Sequence, residues 1–407
     1  MYLSSRRYVT GLLYLMIFIG AMGVQFPFYS IFTVAGVNLF IIPYIFLILF
    51  ALTQKDFSIF LSNNKSCFRI FFIVAMISLS MSMANLFSLF YLDNPTINSI
   101  FIILRNFVYA TFFLILPYLI KHYKIDISNL LSIWMFAIFV SSFLYYFDSP
   151  EYIDKLLYLR GENVLGLYVS IVIFFAMYFF HKNYENKRFL KTIVYMSLVV
   201  FFLATSLFTW SKSSWVSIII GVLFILIINT FKRKKLFFIL LLSTILGVNI
   251  LLNIELINSL ILNEWSASSG SQSNDQRIGA ILAGLKESLY TYFIGVGPKN
   301  YPIALDYFNI DDVHWIIPDP HNAYVQLISE YGLLSFIAFL MYIFKIYKLL
   351  DFNNLIELYI AATFISMLVF ANFSGEVITQ QFIFMLGSIF VGYKLKEQHD
   401  EKNSNTY

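Results

Sequence analysis

The sequence is divided into long apolar stretches, and twelve of them have about the 20 residues that a helix needs to cross a bilayer. Hydrophobic residues make up 59% of the chain and charged residues only 12%, against roughly 25% charged residues in a soluble domain. A water-soluble fold could not hide this much apolar surface, so we predict an all-α polytopic membrane protein that forms one integral membrane domain, 1–407. The predicted spans are 8–24, 29–52, 70–90, 99–120, 128–147, 164–181, 192–210, 214–231, 236–254, 322–344, 355–373 and 377–393.

Basic residues are unevenly distributed over the connections between these spans. Of the 27 Lys and Arg residues, 20 fall in alternate connections that include both chain ends, and six fall in the other set. Cytoplasmic loops carry an excess of Lys and Arg, so we predict that the N- and C-termini are cytoplasmic. The first stretch follows Arg6 and Arg7 as in a signal peptide, but Phe26 and Pro27 stand where a small-residue cleavage site would be, and we interpret it as a signal anchor.

The single cysteine, Cys67, excludes a disulfide framework.

The predicted outer side has one long connection, 255–321, between spans nine and ten. Loops of this length are usually functional or disordered, and this one contains structure signals. A Ser- and Gly-rich segment, 263–274, precedes a short amphipathic helix that we predict to begin at Asp275 (or Asn274) and to lie on the membrane surface. Its apolar positions at helical spacing are Ile278, Ile281, Leu282, Leu285 and Leu289.

Arg277 falls in the first turn of this predicted helix. A cation there opposes the helix dipole by a few tenths of a kcal/mol, so local stability does not explain an arginine at this place. Two interpretations stay open. Arg277 is either a solvated surface charge or part of an anion site that includes the free N–H groups of the helix.

The long connection ends at Pro318–Tyr324, immediately before the tenth span. Pro320 suits the first turn of a helix, which leaves His321 at the outer end of that span. A helix N-terminus disfavours imidazolium, and a neutral imidazole can act as a general base. The alternative is an interfacial histidine with no role. The acidic residues of the loop lack the tight spacing of a calcium site, so we predict no metal. They are Asp306, Asp311 and Asp312.

Four cations lie on or near the predicted outer side. Arg160 precedes the sixth span in the outer connection 148–163, and Lys212 lies in the short turn between spans seven and eight. Arg105 lies about six residues inside the fourth span, roughly 9 Å deep at 1.5 Å per residue. A charge at that depth marks a functional contact by default, although it could also reach the outer headgroups. With Arg277, these residues suit a phosphate or pyrophosphate on a lipid headgroup.

Short motifs in the C-terminal half resemble those of the O-antigen ligase and polymerase superfamily. They follow the order of the family from about 160 to 335, and the long loop falls on the same side. Lys212 stands where the family more often has arginine. The matching segments are Asn163–Gly166 (Asn-x-x-Gly), Ser211–Ser213 (Ser-Arg-Gly in the family), Arg277 (the loop arginine), Gly295–Pro298 (Gly-x-Gly-Pro), and Pro320–Leu327 with Glu330–Leu334 (His-Asn…Glu-x-Gly-Leu).

The resemblance implies a glycosyltransferase that needs no nucleotide sugar, metal or cofactor. The donor would be a glycan on undecaprenyl pyrophosphate at the outer face of the bacterial cytoplasmic membrane. Arg277, Arg160 and Lys212 would hold the pyrophosphate and neutralise it as it leaves, together with Arg105 of the same predicted set. His321 would take the proton of the acceptor hydroxyl or position that acceptor.

The superfamily divides by acceptor. A polymerase joins one lipid-linked repeat to another, as in O-antigen or capsule synthesis, whereas a ligase joins the finished chain to lipid A core. The Gly-Val-Gly-Pro and Glu-Tyr-Gly-Leu segments favour polymerase. A chain-length regulator protein is a further candidate partner, and no nucleic acid is expected.

Two other classes of protein compete with this interpretation. A lipid-linked oligosaccharide flippase or another twelve-span transporter would show two related halves and polar groups near the midplane. The sequence has no convincing internal repeat, its spans are almost free of charge, and one loop is far longer than the rest. A structural or sensory membrane protein would not need the ordered motifs.

Overall fold

A computed structural model describes residues 2–22, 33–34, 37–92, 98–147, 150–209, 211–231, 269–310, 319–374 and 381–404 of the chain. Nearly all of this part is helical, as the apolar periodicity predicts, and one two-residue hairpin is the exception. In chain order the elements are α1 Tyr2–Met22, β1 Thr33–Val34, β2 Val37–Asn38, α2 Ile41–Leu52, α3 Phe57–Asn63, α4 Lys65–Tyr91, α5 Asn98–His122, α6 Ile127–Phe147, α7 Pro150–Glu185, α8 Phe189–Phe208, α9 Lys212–Phe231, α10 Ser269–Tyr290, α11 Tyr301–Tyr307, α12 Ala323–Ser329, α13 Leu333–Leu349, α14 Leu355–Phe370 and α15 Gln381–Ser404.

The long helices pack against one another as a bundle. Helix α5 packs between α4 and α15, and α7 packs against both α8 and α14. Buried aromatic rings fill the interior, for example Trp134 of α6 against Phe382 of α15 at 5.3 Å between ring centroids. Large apolar side chains such as Leu79 and Phe101 face outward instead. An apolar exterior around a packed interior is what a bilayer-embedded bundle requires.

The two ends of the bundle differ in character. At one end, here the basic end, Arg6 donates to the Lys124 carbonyl at 3.4 Å, and His122 lies 2.8 Å from Asp56. At the other, here the loop end, Gln381 donates to the Gly20 carbonyl at 2.7 Å. Residues that are predicted from the sequence to lie on the same side of the membrane therefore lie at the same end of the bundle.

Four described helices are long and apolar enough to cross a membrane. They are Lys65–Leu89, Ser99–His122, Leu165–Glu185 and Phe189–Leu207. Helices α2 and α3 together would add a fifth, bent by 88°. The chain is therefore a multi-pass membrane protein, while the count of twelve spans stays a prediction. The ninth predicted span, 236–254, lies outside the described residues.

Three predicted boundaries are wrong. The start of span two is not helical in its described part, because β1 and β2 occupy it before α2 begins at Ile41. The outer connection 148–163 is mostly the first part of α7, which begins at Pro150. The tenth span is broken into α12 and α13, because Gly332 has φ +86° and ψ 157°, a backbone conformation that a helix cannot contain.

Candidate active site at the loop end

His321 lies in a tight turn formed by the sequence Asp-Pro-His-Asn. The Asp319 carboxylate accepts the His321 backbone N–H at 2.7 Å, and its Oδ1 is 3.5 Å from the imidazole Nδ1. His321 itself has φ +50°, which is unusual for a residue with a side chain. Such conformations persist only where neighbouring structure enforces them, and they occur often at functional sites. The imidazole is 39% exposed, so it remains accessible to a substrate.

Asn322 caps the helix that follows and fixes the turn to the bundle. Its side-chain oxygen accepts the N–H groups of Tyr324 and Val325 at 3.0 and 3.1 Å, which satisfies two of the unpaired donors at the start of α12. Its amide nitrogen donates to the Asn372 carbonyl at 3.2 Å, just after α14 ends. The Tyr324 hydroxyl adds a bond to the Leu368 carbonyl at 2.7 Å. The His321 turn is thus fixed by the Asp319 carboxylate on one side and by the hydrogen bonds of Asn322 on the other.

The Gly-x-Gly-Pro and Glu-x-Gly-Leu segments pair with each other. The N–H of Val296 donates to the Ser329 carbonyl at 2.9 Å, and the N–H of Gly297 donates to the Glu330 carbonyl at 2.7 Å. The glycines allow this approach, because a Cβ on Gly332 would overlap the Ile294 carbonyl oxygen. These two motifs therefore dock the long loop onto the end of α12.

The paired segments are also bound to the loop ends of α4 and α5. Ser99 donates to the Pro298 carbonyl at 2.6 Å, and Asn300 donates to the Ser88 hydroxyl at 3.1 Å. A Cβ on Gly297 would lie 3.0 Å from Asn85 Cα, so this position is close-packed as well. The loop is consequently fixed against the helix that carries Arg105.

Two further motifs, Asn163–Gly166 and Ser211–Ser213, meet beside α14. A Cβ on Gly166 of α7 would lie 3.0 Å from Ser211 Cβ, and Ser214 donates to the Gly166 carbonyl at 2.9 Å. Helix α14 links this pair to the histidine turn, because Ser366 donates to the Ser170 carbonyl at 3.2 Å one turn below. The motifs that the sequence identified separately thus lie at one end of the bundle.

The structure describes the four predicted cations in different detail. Arg160 lies in α7 and Lys212 is the first residue of α9. Their side chains, and that of Arg277, lie outside the described part, so their convergence stays a prediction. Arg105 is half-buried in α5, with its guanidinium carbon 6.0 Å from the centre of the Tyr109 ring. Its buried Nε has no hydrogen-bond partner among the described residues.

The predicted position of Arg277 within its helix is wrong. Helix α10 begins at Ser269, so Arg277 lies in the third turn, and the free N–H groups at the helix start cannot accompany it. Part of the predicted flexible segment, 269–274, is helical. Of the five apolar positions, Leu282, Leu285 and Leu289 are exposed. The face with small residues packs on α12 instead, where a Cβ on Gly284 would lie 2.7 Å from Val325.

Two buried glutamates in this interface were not identified from the sequence. Glu287 of α10 is completely buried, and neither carboxylate oxygen has a partner among the described residues. Burial, and then the charge of Glu330, raises the pKa of Glu287 well above its ordinary value. In the sequence, the only sign of this burial is that Glu287 lies three residues after Gly284, on the helix face that carries small residues.

Glu330 ends α12 and is also completely buried. Its carboxylate accepts the Gln326 amide at 2.7 Å and the Lys299 backbone N–H at 3.2 Å. Two buried acids, Glu287 and Glu330, therefore lie in the interface between α10 and the end of α12.

Residues 197–340 match the family model described as O-antigen ligase. The match extends from α8 into α13 and includes the Ser211–Ser213 turn, Arg277, the Gly-x-Gly-Pro segment and His321. No curated protein and no solved structure matches the chain. The matched stretch contains four of the motifs that the structure gathers at the loop end, and the fifth, Asn163–Gly166, packs against it. Residues 197–340 are therefore similar to the O-antigen ligase domain, which supports the resemblance to the O-antigen ligase and polymerase superfamily.

Proposed function

We propose that this protein is a polysaccharide polymerase that transfers a glycan from undecaprenyl pyrophosphate to a lipid-linked acceptor at the outer face of the bacterial cytoplasmic membrane. The observation that carries the proposal is the His321 turn, which is strained, accessible and fixed by hydrogen bonds at the end of the bundle where the family motifs meet. A transporter would not require this arrangement at the end of the bundle.

The cations at the loop end suit a departing pyrophosphate. Negative charge develops on the leaving group in the transition state, so fixed cations stabilise that state more than the ground state. We assign Arg160, Lys212 and Arg277 to the pyrophosphate. Arg105 lies inside α5, and its buried Nε, which has no hydrogen-bond partner among the described residues, supports a contact with an anionic group at that depth.

Orientation follows from the distribution of charge. The basic end carries Arg6, Lys121, Lys124 and the Lys394–Lys402 segment, and we propose that it faces the cytoplasm. The loop end then faces outward, where a lipid-linked donor would be presented.

A ligase remains the second candidate, because the matching family model is described as O-antigen ligase. Polymerase is favoured by the Gly-Val-Gly-Pro and Glu-Tyr-Gly-Leu segments, which the structure pairs with each other. The two functions differ in what accumulates when activity is lost. Loss of a polymerase leaves single repeats on the final acceptor, whereas loss of a ligase leaves long chains on the lipid carrier.

The test replaces His321 and Arg277 with alanine in cells and displays the surface polysaccharide on a gel. We expect both variants to lose the long-chain ladder while immunoblots show normal membrane levels. Matched controls are His399→Ala, an exposed histidine far along α15, and Lys286→Ala, an exposed cation on the same helix as Arg277. Normal ladders from both site variants would refute the assignment.

A further inference from the structure

We infer that Asp319 is a positioning residue for the reaction, because its carboxylate sets the orientation of the His321 imidazole and holds the nitrogen that carries the proton. This inference rests on the proposed role of His321 as the base. Asp319 itself touches no reacting atom and acts through the histidine.

The geometry of the turn makes Asp319 the immediate neighbour of the imidazole. One carboxylate oxygen, Oδ1, accepts the His321 backbone N–H at 2.7 Å and lies 3.5 Å from Nδ1. Only 10% of the Asp319 side chain is exposed, so the carboxylate is shielded from water on most sides. Pro320 fixes the backbone between the two residues, and the left-handed conformation of His321 turns its ring back toward the carboxylate. The contact thus joins two residues of one short turn, which Asn322 fixes to the bundle.

The charges around this turn distinguish Asp319 from the other nearby acids. Among the described residues, the ionisable groups that interact with one another here are Glu287 of α10, Tyr301 of α11, and Asp319, Lys299 and Glu330 in the connecting segments. Burial raises the pKa of Glu287 well above its ordinary value. The described bonds of Glu330 go to Gln326 and to the Lys299 backbone, and Glu287 has no hydrogen-bond partner among the described residues. Asp319 is the acid whose carboxylate faces His321.

This arrangement defines the proton transfer. We assign the proton to Nδ1, the nitrogen that lies 3.5 Å from the carboxylate, which leaves the lone pair on Nε2 to take the proton of the acceptor hydroxyl. The acceptor oxygen forms the new bond to the anomeric carbon, and the bond from that carbon to the pyrophosphate oxygen breaks, with the electron pair leaving on the pyrophosphate. The imidazolium then returns its proton to water. As positive charge develops on the ring, the 3.5 Å separation can shorten to a charge-assisted hydrogen bond.

Asp319→Asn tests the inference, because the amide oxygen still accepts the His321 N–H and preserves the turn while the charge is lost. The purified full-length chain would be assayed with an undecaprenyl-pyrophosphate-linked oligosaccharide over pH 5 to 9. We expect kcat to fall at least about 10-fold with KM little changed. We also expect the acid limb of the rate profile to move about one pH unit lower, because the carboxylate no longer stabilises the protonated ring. Asp306→Asn, an exposed acid on α11 of the same loop, is the matched control and should behave like the wild type.

The outcomes separate this inference from the proposed function. If Asp319→Asn has the wild-type kcat and an unchanged acid limb, Asp319 only shapes the turn and the inference is wrong. Asp319→Ala then serves as a second variant: a loss of thermal stability with Asp319→Ala alone would confirm that purely structural role. If the wild type forms no glycosidic product, the proposed function itself fails.

Discussion

Gly332→Ala tests whether the paired motifs hold the long loop in place. Gly332 has φ +86° and ψ 157°, a region that is essentially restricted to glycine. Forcing another residue into it costs about 1–3 kcal/mol. A Cβ there would also overlap the Ile294 carbonyl oxygen and lie 3.1 Å from Ser80 Oγ. Backbone overlap of this kind adds about 1–3 kcal/mol.

Together these effects predict a destabilisation of about 2–6 kcal/mol, which is a large part of the stability of a typical domain. The chain can relieve it by moving Ile294 away, which would break the 2.9 Å bond from Leu333 N–H to the Phe293 carbonyl and weaken the Gly297–Glu330 bond. We therefore expect the loop to detach and glycan transfer to fall with it.

The assay is thermal unfolding of the detergent-purified chain, combined with glycan transfer. We expect the Gly332→Ala midpoint to fall by several degrees. The matched control is Gly11→Ala in α1, because a Cβ there would meet no atom within 4 Å and alanine favours a helix by up to about 1 kcal/mol. If Gly332→Ala unfolds at the same temperature as Gly11→Ala and transfers glycan at the wild-type rate, the docking argument is wrong.

Two further predictions concern the buried acids and the orientation. Because burial raises the pKa of Glu287 well above its ordinary value, the folded chain keeps a proton that the unfolded chain releases, so stability should be highest at acidic pH and decline as the pH rises through the raised pKa. Glu287→Gln should flatten this decline in melting curves from pH 5 to 9, and an unchanged slope would contradict the assignment of a buried acid pair. For the orientation, a reporter fused at Ser269 should be extracytoplasmic and one fused at Tyr407 cytoplasmic; the same side for both would overturn the topology.

The sequence predicted the helices well where hydropathy is continuous. Five helices begin and end within a few residues of the predicted spans, because each is a long apolar run between polar connections. They are α4, α5, α6, α8 and α9. Hydropathy fails where a helix continues through polar residues. Helices α7 and α10 both begin earlier than predicted, since Pro150–Asn163 contains too many charged residues for a membrane span and Ser269–Asn274 contains no apolar residue.

The sequence identified the motifs of the candidate site but not the contacts between them. His321 and the glycine motifs could be recognised locally, because their spacing is short and specific. The role of Gly332 depends on Ile294, and the burial of Glu287 depends on α12, about 40 residues later in the chain. Such dependence arises from tertiary packing, and a single sequence gives no signal for it.

The most direct test of the central claim is glycan transfer by the purified full-length chain from an undecaprenyl-pyrophosphate-linked oligosaccharide. The wild type should join repeat units into longer lipid-linked products and release undecaprenyl pyrophosphate, and His321→Ala should lower that rate at least about 100-fold, as expected when a general base is lost. Equal rates for His321→Ala and the wild type, or no product from a folded wild-type protein, would contradict the account.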